Sequence, residues 1–161
     1  MLVRTGNEVE GGSNSVAIRL DEEKFDKMDA ATVNFIGKIR TPYKTTTDCP
    51  GQARPENGTA RIELNEEMLP ALKGIETKRH LQILYWLDKA DRSILQCVPR
   101  WAENGEEYGV FSLRSPVRPN PIALSTVKLL SVEGTVLIVS ALDCLDETPV
   151  LDIKPYIDQL K

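Results

Sequence analysis

Residues 122–142 read IALSTVKLLSVEGTVLIVSAL. Two apolar runs rich in Val, Ile and Leu, 122–130 and 135–142, flank the pair Glu133-Gly134. β-Branched residues suit a pleated, half-buried surface. A glycine between two such runs suits a tight reversal. The stretch therefore predicts an antiparallel hairpin, and the fold class follows from how many further strands surround it.

Working outward, residues 59–64 (TARIEL) alternate, with Ala60, Ile62 and Leu64 on one face, as a half-buried strand does. Residues 33–39 (VNFIGKI) and 81–87 (LQILYWL) also read as strands, as do 108–113 (YGVFSL) and 149–153. Pro42 ends the first, because proline cannot donate to a sheet ladder. Residues 44–58 hold Pro50, Gly51, Pro55 and Gly58 and form a long loop, and 88–107 are a second long polar connection. Asn65 can cap a short helix with Glu66 and Glu67 in its first turn, limited by Pro70 and ended by Gly74. About seven strands with few helices predict a mainly β protein, a closed or nearly closed β-barrel with a few short helices. The barrel domain is expected over 32–161. Residues 1–31 are expected to form an N-terminal extension, partly flexible, with a short strand at 15–20 and a weak helix or extended arm at 21–31.

Composition removes several function classes. Hydrophobic residues are 41% and charged residues 27% of 161, an ordinary soluble balance. No apolar run approaches the roughly 18 residues of a membrane helix, and the N-terminus shows no secretory pattern. Cys49, Cys97 and Cys144 lie far apart, and His80 is the single histidine. That set argues against a disulfide framework or a zinc site, so a reduced, cytoplasmic setting and no metal are expected. The net charge is −4. Residues 1–31 carry four basic and seven acidic side chains, whereas 32–161 carry 16 and 17. The barrel region is near neutral and permits a local basic patch for nucleic acid. No Gly-rich loop joins a strand to a helix, so a dinucleotide or P-loop site is not supported.

Three stretches carry candidate chemistry. Residues 114–121 (RSPVRPNP) hold three prolines within six positions and are stiff. Arg114 and Arg118 sit on that frame as permanent charges with planar donor forks, suited to a carboxylate or phosphate. A purely structural proline loop is the alternative. Residues 143–149 (DCLDETP) place acidic groups after a very apolar strand, where they suit ribose hydroxyls, an amino group or a sulfonium, or simply cap their own turn. Tyr85 and Trp86 precede Asp88 and Lys89; the rings can stack on a base but more often belong to a core. His80 fits a structural role better than a catalytic one. Cys144 reads as a small buried side chain rather than a nucleophile.

The set IGKIRTPY (36–43), ILYWLDKADR (83–92), GVFSLRSPVRPNPIALS (109–125), LDCLDETP (142–149) and LDIKPY (151–156) closely resembles the bacterial and archaeal tRNA adenine-N6 methyltransferases, also called the TrmO, TsaA-like or YaeB-like family. The resemblance covers about residues 33–158. It implies a single-sheeted β-barrel acting as a homodimer, with the methyl donor S-adenosyl-L-methionine bound near the subunit interface. The implied substrate is tRNA, at the N6-threonylcarbamoylated adenosine next to the anticodon. By the same resemblance the donor-binding positions are Pro50, Gln52, Asp88, Lys89, Arg114, Leu124, Ser125, Leu142, Asp143, Cys144, Leu145 and Asp146. The family usually has His at Asp88, Gly at Ala123 and Glu147, and Thr at Ser112. The longer bacterial members carry a C-terminal extension, which the resemblance does not cover.

Methyl transfer is an in-line displacement, and alignment of nucleophile and methyl can supply several kcal/mol. Asp143 or Asp146 is expected to assist loss of the N6 proton or to orient the donor's amine. Arg114 or Arg118 is expected to hold the modified base's carboxylate or a phosphate, with Arg114 favoured for the donor side and Arg118 for the RNA side. A donor-binding module without catalysis and a methyltransferase with a non-tRNA substrate remain as alternatives.

Overall fold

The computed structural model describes residues 30–51 and 58–158. The strand expected at 15–20, nearly all of the arm expected at 21–31 and residues 52–57 of the long loop lie outside the described residues. The described residues fall into two compact units: the barrel, within Val33–Asp88 and Ile122–Lys161, and an excursion built on Lys89–Pro121.

The barrel is a closed ring of six strands: β1 (Gly37–Arg40), β2 (Thr59–Leu64), β3 (His80–Trp86), β6 (Ile122–Glu133), β7 (Val136–Ser140) and β8 (Thr148–Pro155). Their spatial order is β1-β2-β7-β6-β3-β8, with β8 pairing back onto β1, and every pairing is antiparallel. Closure leaves this six-stranded sheet without an edge strand. The β6–β7 hairpin turns at Gly134, whose φ of 61° opens a two-residue connection. β2 buries Ala60, Ile62 and Leu64, the face its alternation picks out. The interior is filled by Ile39, Ile62, Leu81, Ile83, Leu137, Val139 and Val150, each 1% exposed or less.

Local corrections have local causes. β1 starts at Gly37 rather than at residue 33, although the Ile36 amide still bonds the Val150 carbonyl at 2.9 Å. The short helix after β2 is a 3-10 helix, Glu66–Leu72, with Pro70 inside it. Asn65 makes no side-chain cap there; its Nδ2 donates to the Phe35 carbonyl at 3.2 Å.

The excursion holds a two-stranded ribbon, β4 (Gln96–Cys97) with β5 (Tyr108–Gly109). The strand expected over 108–113 stops after Gly109. A 3-10 turn, Val110–Ser112, replaces its second half. Ser112 Oγ donates to the Gly109 carbonyl at 2.7 Å, and the Leu113 amide to the Val110 carbonyl at 3.3 Å. Local bonds thereby take the groups a ladder would need. No helix among the described residues is long and apolar enough to cross a membrane. Among the same residues, no group of three His, Cys, Asp or Glu is placed to hold a metal ion.

Gly37 of β1 pairs with Leu64 of β2. A β-carbon there would collide with the Glu63 carbonyl and stand 2.7 Å from the Leu64 Cα. Gly37→Ala is therefore expected to lower stability by about 1–3 kcal/mol in urea unfolding. Gly109→Ala, where a β-carbon meets nothing within 4 Å, should be near neutral. Equal effects would contradict this reading of the barrel seam.

Candidate functional site

One end of the barrel carries the acidic turn and several other candidate residues. Arg40 pairs with Arg61, Ile39 with Thr148, Thr59 with Ser140, and Trp86 with Ile122. The C-terminal ends of β1, β3 and β7 thus lie beside the starts of β2, β6 and β8. The 41–58 loop, the acidic turn 141–147 and Asp88 all issue from this end.

The acidic turn is bolted to the exit of β1. The Thr41 hydroxyl donates to the Cys144 carbonyl at 2.9 Å, and the Thr41 amide to Asp146 Oδ1 at 3.2 Å. In return the Asp146 amide donates to the Tyr43 carbonyl at 2.8 Å and the Glu147 amide to the Ile39 carbonyl at 2.8 Å. Lys44 Nζ donates to Asp146 Oδ2 at 2.5 Å. That hydrogen bond from Lys44, with the Thr41 amide and the nearby Arg40 guanidinium, holds the Asp146 carboxyl below the usual carboxylate range. Asp146 is therefore an ionised clamp with its oxygens occupied, poorly placed to collect a proton.

Asp143 has different surroundings. Tyr85, on the inward face of β3 and 3% exposed, fills the barrel at this end. Its hydroxyl lies 2.9 Å from Ser125 Oγ and donates to Asp143 Oδ1 at 3.3 Å. Burial pushes the phenol well above its ordinary pKa, so it stays protonated as a donor. Asp143 is half-buried between Leu142 and Cys144, both buried. Burial pushes the Cys144 thiol up to about 12, so no thiolate nucleophile forms near neutral pH. Tyr85 was read from sequence as core, and its volume is core; its hydroxyl is what sequence reasoning missed. Arg40 and Lys44 were missed as well, because their partners in the acidic turn, Glu147 and Asp146, lie about a hundred residues away.

The other candidates are placed as follows. Ser125 lies on the inner side of β6, and Leu124, 49% exposed, on the outer side with Ile122. Their side chains point to opposite faces, as successive strand residues must. Leu145 is half-buried within the clamped turn, and Pro50 is half-buried in the loop. Gln52 lies outside the described residues. Asp88 is exposed just beyond β3, and its amide bonds the Trp86 carbonyl at 3.0 Å. Lys89, Arg114 and Arg118 belong to the excursion. Lys89 and Arg114 are exposed there. Arg118 Nη2 donates to the carbonyls of Val110 and Leu113, each at 2.7 Å, and its Nε is buried with no partner among the described residues. Nη2 of that guanidinium is thus spent on its own loop.

The family model described as tRNA-methyltransferase O N-terminal domain matches residues 38–161. VirR of Rhizobium radiobacter, a probable S-adenosyl-L-methionine-binding protein, is 47% identical over 89% of this chain and 78% of its own length. The tRNA (adenine(37)-N6)-methyltransferase of Escherichia coli is 36% identical over 76% of this chain and 56% of its own. The crystal structure of TrmO from Pseudomonas aeruginosa superposes with a TM-score of 0.64 at 33% identity, covering 80% of this chain and 57% of that one. The chain thus spans little more than half the length of these last two relatives.

Glu147 is the one described non-glycine residue at positive φ, 67°. This is the position where glycine is expected from the resemblance, and glycine adopts that conformation without a β-carbon penalty. Here Glu147 is compensated by Arg40 Nη1 at 2.7 Å and Lys38 Nζ at 3.8 Å. Glu147→Ala keeps the strain and loses the ion pairs, whereas Glu147→Gly loses both. Thermal midpoints should therefore place Ala below Gly; Ala at or above Gly would contradict the strain assignment.

Proposed function

The chain belongs to the tRNA-methyltransferase O N-terminal domain family, and from that premise we propose that it is an S-adenosylmethionine-dependent tRNA methyltransferase. We propose that the acceptor is N6 of the threonylcarbamoylated adenosine next to the anticodon. The observation that carries this reading is the Tyr85 hydroxyl, which links two resemblance-derived donor positions, Ser125 and Asp143, at the barrel end. The name of the Escherichia coli relative supports the tRNA substrate.

The side chains suit the donor. S-adenosylmethionine, when bound, supplies an electrophilic methyl on a sulfonium sulfur. Asp143 accepts a single hydrogen bond among the described residues, from Tyr85, and keeps acceptor capacity for an amine or a ribose hydroxyl. Tyr85 fixes the orientation of that carboxylate, and Asp146 fixes the turn that carries it. Asp143 is half-buried, and reduced contact with water strengthens its pull on a cation. Asp143 is thereby preferred over Asp146 for orienting the donor's amine or receiving the N6 proton. Arg114, exposed on the excursion, takes the carboxylate or phosphate contact, since Arg118 has its Nη2 committed to backbone.

The exposed outer-face pair Ile122 and Leu124 suits a second copy of the chain, and we propose the homodimer on that ground. A cytoplasmic location fits a tRNA substrate. A second reading, donor binding without methyl transfer, draws on relatives named only as S-adenosyl-L-methionine-binding proteins, one of them 46% identical.

Mass spectrometry of tRNA from a strain lacking the gene is expected to show threonylcarbamoylated adenosine without its N6-methyl. Purified protein with isotopically labelled S-adenosylmethionine should restore it. Unchanged methylation in the deletion strain, or binding without label transfer, would overturn the enzymatic assignment.

A further inference from the structure

The excursion displays an aromatic side chain that the donor site does not use. Phe111 is 83% exposed, the most exposed of the large hydrophobic side chains described. Left bare, its ring adds nothing to the core and keeps its apolar area in water. Yet the backbone under it is unusually well held. Val110, beside it, is 1% exposed and its amide donates to the Leu95 carbonyl at 3.0 Å. Arg118 Nη2 grips the carbonyls on both sides of Phe111, those of Val110 and Leu113. Ser112 closes the same turn through the Gly109 carbonyl. Proline at 116, 119 and 121 stiffens the segment that carries Arg118. An exposed ring on a pinned turn has its ordering cost already met, which favours binding.

Charge indicates the occupant. Residues 89–121 hold five basic and four acidic side chains, net +1, within a chain of net −4. Arg100 and Arg114 are exposed in this unit. A second aromatic, Trp101, is 64% exposed and lies on Tyr108 with ring centroids 5.0 Å apart. Exposed aromatic rings in a unit that also displays exposed arginines and a net positive charge suit single-stranded nucleic acid, in which bases stack and phosphates pair. We propose that Phe111 stacks on an unpaired nucleobase of the RNA substrate, and that Arg118 is the positioning residue that aims it. This rests on the tRNA reading above and adds to it a specific contact.

The test uses the full chain and a fluorescein-labelled anticodon stem-loop RNA carrying threonylcarbamoylated adenosine, read by anisotropy across a salt series. Phe111→Ala should weaken RNA binding about fivefold to a hundredfold, the range of one lost base stack. Phe111→Trp should restore it. The salt dependence should not change, because no phosphate contact is removed. Arg118→Ala should reproduce the loss with the same salt slope, and the double variant should lose no more than either single variant. The S-adenosylmethionine affinity and sedimentation mass of Phe111→Ala should match the wild type. RNA affinity unchanged by Phe111→Ala would overturn the proposal. So would a changed sedimentation mass, which would assign Phe111 to contact with a second copy. A wild-type chain that binds S-adenosylmethionine but not this RNA would overturn the tRNA reading and this contact with it. RNA binding indifferent to Phe111 would remove the contact alone.

Discussion

Asp146 ties two distant parts of the chain together, and the candidate site depends on that tie. Its carboxylate accepts from the Thr41 amide and from Lys44, while its amide donates to the Tyr43 carbonyl. With the Thr41–Cys144 bond beside it, the turn entering β8 is held against the chain leaving β1. β1 and β8 form the pairing that closes the ring. The same contacts therefore close the barrel and set the path of residues 142–147. Without them Asp143 would sit on an unanchored loop, and preorganisation toward a charged ligand would be lost.

The turn then gives two neighbouring acidic residues different tasks. Asp146 faces a lysine, a nearby arginine and a backbone amide, so it stays ionised and fully engaged. Asp143 faces a neutral phenol whose proton is held by burial. A carboxylate with one weak internal partner and apolar flanks is the better ligand for an incoming cation or hydroxyl. From sequence the two are indistinguishable, because both lie in one short acidic run and their partners come from β3 and from the chain after β1.

Much of the barrel was legible because its strands are amphipathic in an ordinary way. Residues 59–64 alternate because one side meets the core, and the 122–142 hairpin announces itself through β-branched runs around Gly134. The mainly β barrel follows from counting such segments. Residues 108–113 misled because YGVFSL has strand composition, while Ser112 and Arg118 draw the carbonyls from Gly109 to Leu113 into a local turn. The site was legible as motifs rather than as geometry. The resemblance marked Ser125 and Asp143, but the hydroxyl joining them belongs to Tyr85, whose apolar neighbours conceal a polar role. Leu124 and Ser125 are adjacent in the motif, yet the strand sends them to opposite faces.

We propose that Asp143, set by Tyr85 and by the clamped turn, recognises the methyl donor. Calorimetric titration of S-adenosylmethionine into the full chain and its Asp143→Ala variant tests it most directly. Saturable binding by the wild type, with a loss of at least about tenfold in the variant, a difference of about 1.4 kcal/mol, is the predicted result. Equal affinity for the two proteins, or no binding by the wild type, would contradict it.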